Sequence, residues 1–123
     1  MKAFDDKCFE NAKIAKIIIP KNIVKISSYM FSNCDKLSEI TFQEGYLLKE
    51  LGEGSFYNCI SLQEIILPDG VKVIPKNCFY NTGIIAITIQ NTIEIIDDSA
   101  FEKCAHLETV TFESGSSLKK LGN

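Results

Sequence analysis

The sequence of 123 residues contains no tryptophan, a single histidine and only three prolines. It also lacks arginine, so all 13 basic residues are lysines, and 16 acidic residues leave a net charge of −3. A nucleic-acid-binding domain needs a basic face and usually the bidentate guanidinium groups of arginine. The composition therefore argues against nucleic acid as a partner.

Long apolar runs are also missing. No run approaches the roughly 18 apolar residues that span a bilayer, and the N-terminal stretch MKAFDDKCFENAK lacks the apolar core of a signal peptide. The apolar content of 46% and the charged content of 24% are ordinary for a soluble globular protein. We expect one soluble domain over residues 1–123, without insertion into a membrane.

Isoleucine is abundant, with 18 residues against 9 leucines, which favours strands. A motif that begins with phenylalanine recurs with periods of 22, 25, 23 and 22 residues, anchored at Phe9, Phe31, Phe56, Phe79 and Phe101. The apolar spacing after each anchor is nearly constant, as FYNCISLQEIIL and FEKCAHLETVTF illustrate. Length varies only at two corners of each period, which is typical of stacked coils.

Each coil, or rung, contains a segment that ends in period-2 alternation. In the third rung this predicts that Ile65 and Leu67 point inward while Glu64 and Ile66 point outward. Stacking places these segments side by side as a parallel sheet with right-handed crossovers. The predicted fold is therefore mainly β: a right-handed solenoid of about five rungs of 22–25 residues, with a parallel sheet on one face and turns or short helices on the other.

The pattern F-x-N-C-x-x-L-x-x-I-x-L-P-x-x-V-x-x-I-P-x-x-x-F, over residues 56–79, resembles the BspA-type leucine-rich repeat. The resemblance extends over about residues 3–121. It implies a leucine-rich-repeat solenoid that is part of a longer array. It also implies a surface or secreted binding or adhesion protein of bacteria or protozoan parasites. The chain has no signal peptide of its own, so a cytoplasmic location stays open as the alternative.

The five cysteines fall in two columns of the repeat. One column holds Cys34, Cys59 and Cys104 beside Ala12 and Thr82, and the other holds Cys8 and Cys78 beside Met30, Ser55 and Ala100. Columns that accept alanine, serine, threonine and cysteine select a small inward residue. Only Cys34 and Cys59 lie on neighbouring rungs, and their side chains are expected to run parallel. We predict free thiols rather than disulfides or a metal site.

Catalytic and cofactor motifs give weaker signals. Cys104 and His106 could suggest a nucleophile with its base, but at this spacing the first faces inward and the second outward. No G-x-G-x-x-G, P-loop or G-x-S-x-G motif occurs. Asp97 and Asp98, like Asp5 and Asp6, are better interpreted as turn caps than as calcium ligands. The sequence therefore predicts that the chain is not an enzyme and binds no cofactor.

An asparagine column could be mistaken for a binding row. It contains Asn11, Asn33, Asn58 and Asn81, with Lys103 in the fifth rung. Asparagine tolerates left-handed backbone and hydrogen-bonds to neighbouring chain, so a ladder of turns is the simpler interpretation.

Outward positions are the ones free to bind a partner. The strand-face candidates are Lys16, Ile18, Glu39, Thr41, Glu64, Ile66, Thr88, Thr109 and Thr111, and the opposite corner adds Tyr57 and Tyr80. We expect a non-enzymatic binding or adhesion module that presents this surface to a protein or glycan. The alternative is a structural spacer within a longer repeat protein, with no ligand of its own.

The last rung contains apolar residues that no following residues of this chain cover. These are Val110, Phe112, Leu118 and Leu121. An uncovered rung exposes its inner side chains and the free edge of a sheet. The expected outcomes are fraying of this end or a weak end-to-end homodimer.

Overall fold

The structure is a computed structural model that describes residues 9–45 and 47–122. Within these ranges the chain forms a parallel solenoid of about five turns, with short strands and no helix. The strands are β1 (Lys16–Ile19), β2 (Lys25–Ile26), β3 (Glu39–Phe42), β4 (Glu50–Leu51), β5 (Val73–Ile74), β6 (Ala86–Ile89), β7 (Ile95–Ile96), β8 (Thr109–Phe112) and β9 (Lys120–Leu121).

Every pairing between strands is parallel and joins successive rungs. On one face β1 pairs with β3 and β6 with β8, each over four residues. On the other face β2 pairs with β4, and β5, β7 and β9 form a three-stranded sheet. The predicted solenoid is confirmed. The return face, predicted as turns or short helices, contains turns and also short parallel strands, and the described residues contain no helix that could cross a membrane.

The third rung differs from the prediction. Residues 64–67 are not a strand, and in the described part of the chain no backbone hydrogen bond joins them to β3 or β6. Ile65 and Leu67 are nevertheless buried, while Glu64 and Ile66 are exposed. The predicted side-chain directions are confirmed, and the predicted strand is wrong. The inward side chains of this rung therefore reach the core although its backbone is not paired.

A stack of phenylalanine rings runs through the core. Phe31, Phe56 and Phe79 are fully buried, and Phe9 and Phe101 extend the stack at its two ends. Successive ring centroids are 5.3, 5.6, 5.5 and 5.4 Å apart, with nearly parallel planes. Stacked rings at this spacing bury a large apolar area and contribute about 0.5–1.5 kcal/mol per pair beyond it. The repeated phenylalanine is thus the central core residue of each rung.

The asparagine column is a ladder of turns, as predicted. All four asparagines have positive φ values between 54° and 64°, and Lys103 has a φ of 62°. The side-chain amide of Asn81 donates a 3.1 Å hydrogen bond to Oδ1 of Asn58 on the rung below. These side chains therefore connect neighbouring rungs.

The cap predicted at Asp97 precedes a turn, as expected. Its Oδ1 atom accepts a 3.0 Å hydrogen bond from the backbone amide of Asp98, and its carbonyl accepts one from Ala100. Asp5 and Asp6 lie outside the described residues.

Apolar side chains are exposed at the fifth rung. Phe112 retains 46% of its accessible surface and Leu121 retains 66%, whereas Leu118 is half-buried. Val110 is also exposed, as expected for the inner residues of an uncovered rung.

Candidate functional site: the strand face and the third-rung cleft

The strand-face candidates are all exposed to solvent. The outward isoleucines are the most notable, since Ile18 retains 67% and Ile66 74% of their accessible surface. Lys16 faces Glu39 in register across β1 and β3. The outward direction of these residues follows from the period-2 alternation of side chains in each rung, and their role in binding stays a prediction.

The interrupted rung creates a cleft in this face, which we call the third-rung cleft. It consists of two depressions on either side of residues 64–67. The first has a volume of about 740 Å³ and is bounded on one side by β3. The second has a volume of about 420 Å³ and is bounded by residues of β6 and β8. Both are lined by Glu64, Ile65, Ile66 and Ala86.

The edge of β3 that borders the cleft has no backbone partner. Its other edge is paired with the first rung: the amide of Glu39 donates to the carbonyl of Ala15 at 3.2 Å, and that of Gln43 donates to Ile19 at 2.9 Å. In a strand, the N–H and C=O of one residue point to the same edge, and successive residues alternate between the two edges. The N–H and C=O of Ile40 and Phe42 therefore face the cleft.

Gln90 lies at the end of β6 and lines the second depression. Its Nε2 atom donates a 2.6 Å hydrogen bond to the carbonyl of Leu67, which links the interrupted rung to the next one. The side chain is only 6% exposed, and among the described residues its Oε1 is a buried acceptor without a partner. An unsatisfied buried acceptor is unfavourable by about 1–3 kcal/mol.

The cleft is acidic. Glu39 and Glu64 line the first depression, and Glu64 and Glu113 line the second. No lysine is among the residues that line either depression. The arrangement favours cations next to an exposed apolar side chain, that of Ile66.

The opposite corner contains a row of tyrosines. Tyr57 and Tyr80 are half-buried and stack with their centroids 4.6 Å apart, and Tyr29 packs edge-on against Tyr57 at 5.9 Å. Lys103 extends the row, because its Nζ lies 5.8 Å from the centroid of Tyr80. The tyrosines are therefore engaged with one another and less available to a partner than the strand face.

Tyr29 was not among the residues selected from the sequence. It precedes its phenylalanine by two residues, whereas Tyr57 and Tyr80 follow theirs by one, so the repeat places it in another column. Its hydroxyl donates a 3.0 Å hydrogen bond to Glu53. Burial, followed by this bond, raises the pKa of Tyr29.

The cysteines Cys34, Cys59, Cys78 and Cys104 are free thiols, as predicted. Cys104 is half-buried rather than fully buried, because the fifth rung has no neighbour on its outer side among the described residues. Burial raises the pKa of the Cys34, Cys59 and Cys78 thiols, which makes them poor nucleophiles. Cys8 lies outside the described residues.

Cys104 and His106 are directed to different environments. The sulfur of Cys104 contacts the carbonyl of Phe79 at 3.0 Å and the hydroxyl of Thr82 at 3.3 Å. His106 is exposed to solvent. Over the described ranges, no three histidine, cysteine or acidic residues are grouped so as to hold a metal ion. Cys104 and His106 therefore do not form a thiol–imidazole pair.

The chain belongs to the BspA-type leucine-rich repeat family, whose repeat region matches residues 2–123 in six copies. The leucine-rich repeat protein TpLRR of T. pallidum is 26% identical, with a TM-score of 0.81; the match covers 98% of this chain and 62% of that one. A leucine-rich repeat protein from Eubacterium ventriosum is 22% identical with a TM-score of 0.73, over 83% of this chain and 26% of that one.

This chain thus spans less than two thirds of the length of either structure. A leucine-rich cell surface protein from Faecalibacterium prausnitzii has a TM-score of 0.56 at 21% identity, over 94% of this chain and 43% of that one. No curated protein sequence matches the chain significantly.

Proposed function

We propose that this chain is a non-enzymatic binding or adhesion module that recognises a protein or glycan through its strand face. The observation that carries this proposal is the third-rung cleft, which interrupts an otherwise regular sheet among the outward residues. Regular rungs expose a uniform row of side chains, whereas the cleft combines depth, an exposed isoleucine and carboxylates. These are the properties of a recognition surface.

The repeat residues themselves supply no chemistry for a reaction. Each repeated position is occupied by a core side chain, a turn residue or a buried thiol with a raised pKa. The resemblance to surface proteins supports a location at the cell surface or outside the cell, and a longer array would supply the anchor.

A protein array and a glycan array test the proposal with three forms of the chain. The wild type is compared with the double variant Glu64→Lys/Ile66→Asp and with Glu108→Lys, which reverses an exposed charge that does not line the cleft. We expect at least one ligand that the wild type and Glu108→Lys retain and the double variant loses. Circular dichroism verifies that all three forms are folded.

The spacer alternative predicts a different result on the same arrays. If no ligand distinguishes the double variant from the wild type, the strand face has no binding role, and the chain acts as a structural segment of a longer solenoid.

A further inference from the structure

The free edge of β3 is an unusual feature for the middle of a solenoid. Interior strands normally pair on both sides, and unpaired edges are confined to the two end rungs. Here β3 pairs with β1 only, although three more rungs follow it. The backbone N–H and C=O of Ile40 and Phe42 therefore present donors and acceptors at the centre of the strand face.

The depression beside this edge limits which side chains a bound segment can carry. Its floor is formed by side chains that are already packed, since Ile40 and Ile65 are buried. Inward side chains of a bound segment must therefore be small. Its outward side chains lie near Glu39, Glu64 and the exposed Ile66.

The charge of the cleft further restricts the outward side chains that a bound segment can carry. Glu39 has Lys16 opposite it on β1, but the lining of the two depressions contains three carboxylates and no lysine, so a cationic segment is attracted and an acidic one is repelled.

We propose that the third-rung cleft binds an extended basic peptide, which adds as a strand along the free edge of β3. The inference rests on the proposed function and specifies the partner as a protein segment. Backbone hydrogen bonds to Ile40 and Phe42 hold the peptide, as in other cases of strand addition to a sheet edge. Lysine or arginine side chains at alternate positions pair with Glu39 and Glu64, and small residues between them face the floor.

The test uses a rhodamine-labelled heptapeptide of alternating lysine and alanine, measured by fluorescence anisotropy. We expect saturable binding to the wild-type chain that weakens as salt is added. The same peptide with every backbone nitrogen methylated keeps the side chains and the charge but cannot donate to β3. It should bind at least tenfold more weakly, and a glutamate–alanine peptide should not bind.

Variants and hydrogen exchange locate the peptide on the chain. Glu64→Lys should weaken binding at least tenfold, whereas the matched charge reversal Glu108→Lys should stay within twofold of the wild type. The amides of Ile40 and Phe42 should exchange at least tenfold more slowly in the complex than in the free chain.

Three results would overturn the proposal. They are the absence of saturable binding, equal affinity for the methylated peptide, and unchanged exchange at Ile40 and Phe42. None of them affects the proposed function, which fails separately if no arrayed ligand depends on Glu64 and Ile66. A glycan that does depend on these residues, together with no peptide binding, would retain the strand face and reject the peptide.

Discussion

The side-chain amide of Asn58 donates a 2.8 Å hydrogen bond to Oδ1 of Asn33, one rung below it. Both residues have a left-handed backbone, with φ values of 61° and 60°. Each asparagine therefore has two roles, one in the conformation of its own turn and one in the connection between rungs.

The two roles of Asn58 can be separated by substitution. Asn58→Gly keeps the left-handed conformation but removes the side-chain bonds, so it should lower the free energy of unfolding by about 1 kcal/mol. Asn58→Ala adds the strain of a left-handed alanine, a further roughly 1 kcal/mol. Denaturant unfolding measures both, and equal stability of the two variants would contradict the assigned backbone role.

The inward columns should respond to side-chain size. Leu62 and Cys59 are both fully buried in the third rung. Leu62→Ala leaves a cavity and should lower the free energy of unfolding by roughly 2–5 kcal/mol. Cys59→Ala removes one atom from a column that already accepts alanine. It should therefore lower the free energy of unfolding by less than half as much as Leu62→Ala does. Similar losses for both variants would show that the columns are wrongly aligned.

Buried thiols should make the fold sensitive to alkaline pH. Burial raises the pKa of Cys59 and Cys78 in the folded chain, whereas the unfolded thiols titrate near about 8.5. The unfolded state therefore loses protons first, and stability is constant below this pH and falls above it. Above this pH, each such thiol lowers the free energy of unfolding by about 1.4 kcal/mol per pH unit.

The variant Cys59→Ala provides the control for this slope, because it removes one buried thiol and leaves every other titratable group in place. Unfolding midpoints between pH 7 and pH 10 should fall less steeply for the variant than for the wild type. Parallel curves would mean that the thiol of Cys59 ionises as readily in the folded chain as in the unfolded one. Reductant should leave the midpoints unchanged at pH 7, since the described cysteines are free.

The interrupted rung should be visible in hydrogen exchange of the free chain. The amide of Gln43 donates a 2.9 Å bond to Ile19, whereas that of Ile66 has no backbone partner among the described residues. We expect the Ile66 amide to exchange at least roughly 100-fold faster. Similar protection of both amides would indicate a continuous sheet in solution.

The exposed side chains of the fifth rung predict association at high concentration. Each large apolar side chain left uncovered forgoes roughly 1.5–3 kcal/mol of burial. A second copy that stacks on Phe112 and Leu121 recovers part of it. Light scattering over a hundredfold range of concentration should show a dimer that Leu121→Lys weakens. If the chain is monomeric at every concentration, the dimer is excluded and the last rung is expected to fray.

The sequence by itself determined the coil, its period and the direction of nearly every side chain. Stacking requires that equivalent positions face the same environment, so the spacing between Leu62, Ile65 and Leu67 specifies which residues are buried. The same argument identified the asparagine turns and the small-residue columns of the cysteines, because each depends on the local chain and its nearest rung.

Only the tertiary structure decided where the sheet is interrupted and which groups meet there. A strand forms only where the backbones of two neighbouring rungs are aligned for hydrogen bonding. This alignment depends on the length of the corners and on packing across several rungs. The sequence pattern of residues 62–67 is as regular as that of 107–112, yet only the latter forms a strand. The free edge of β3 lies at this interruption, because hydrogen bonding demands closer alignment than the burial of an apolar side chain.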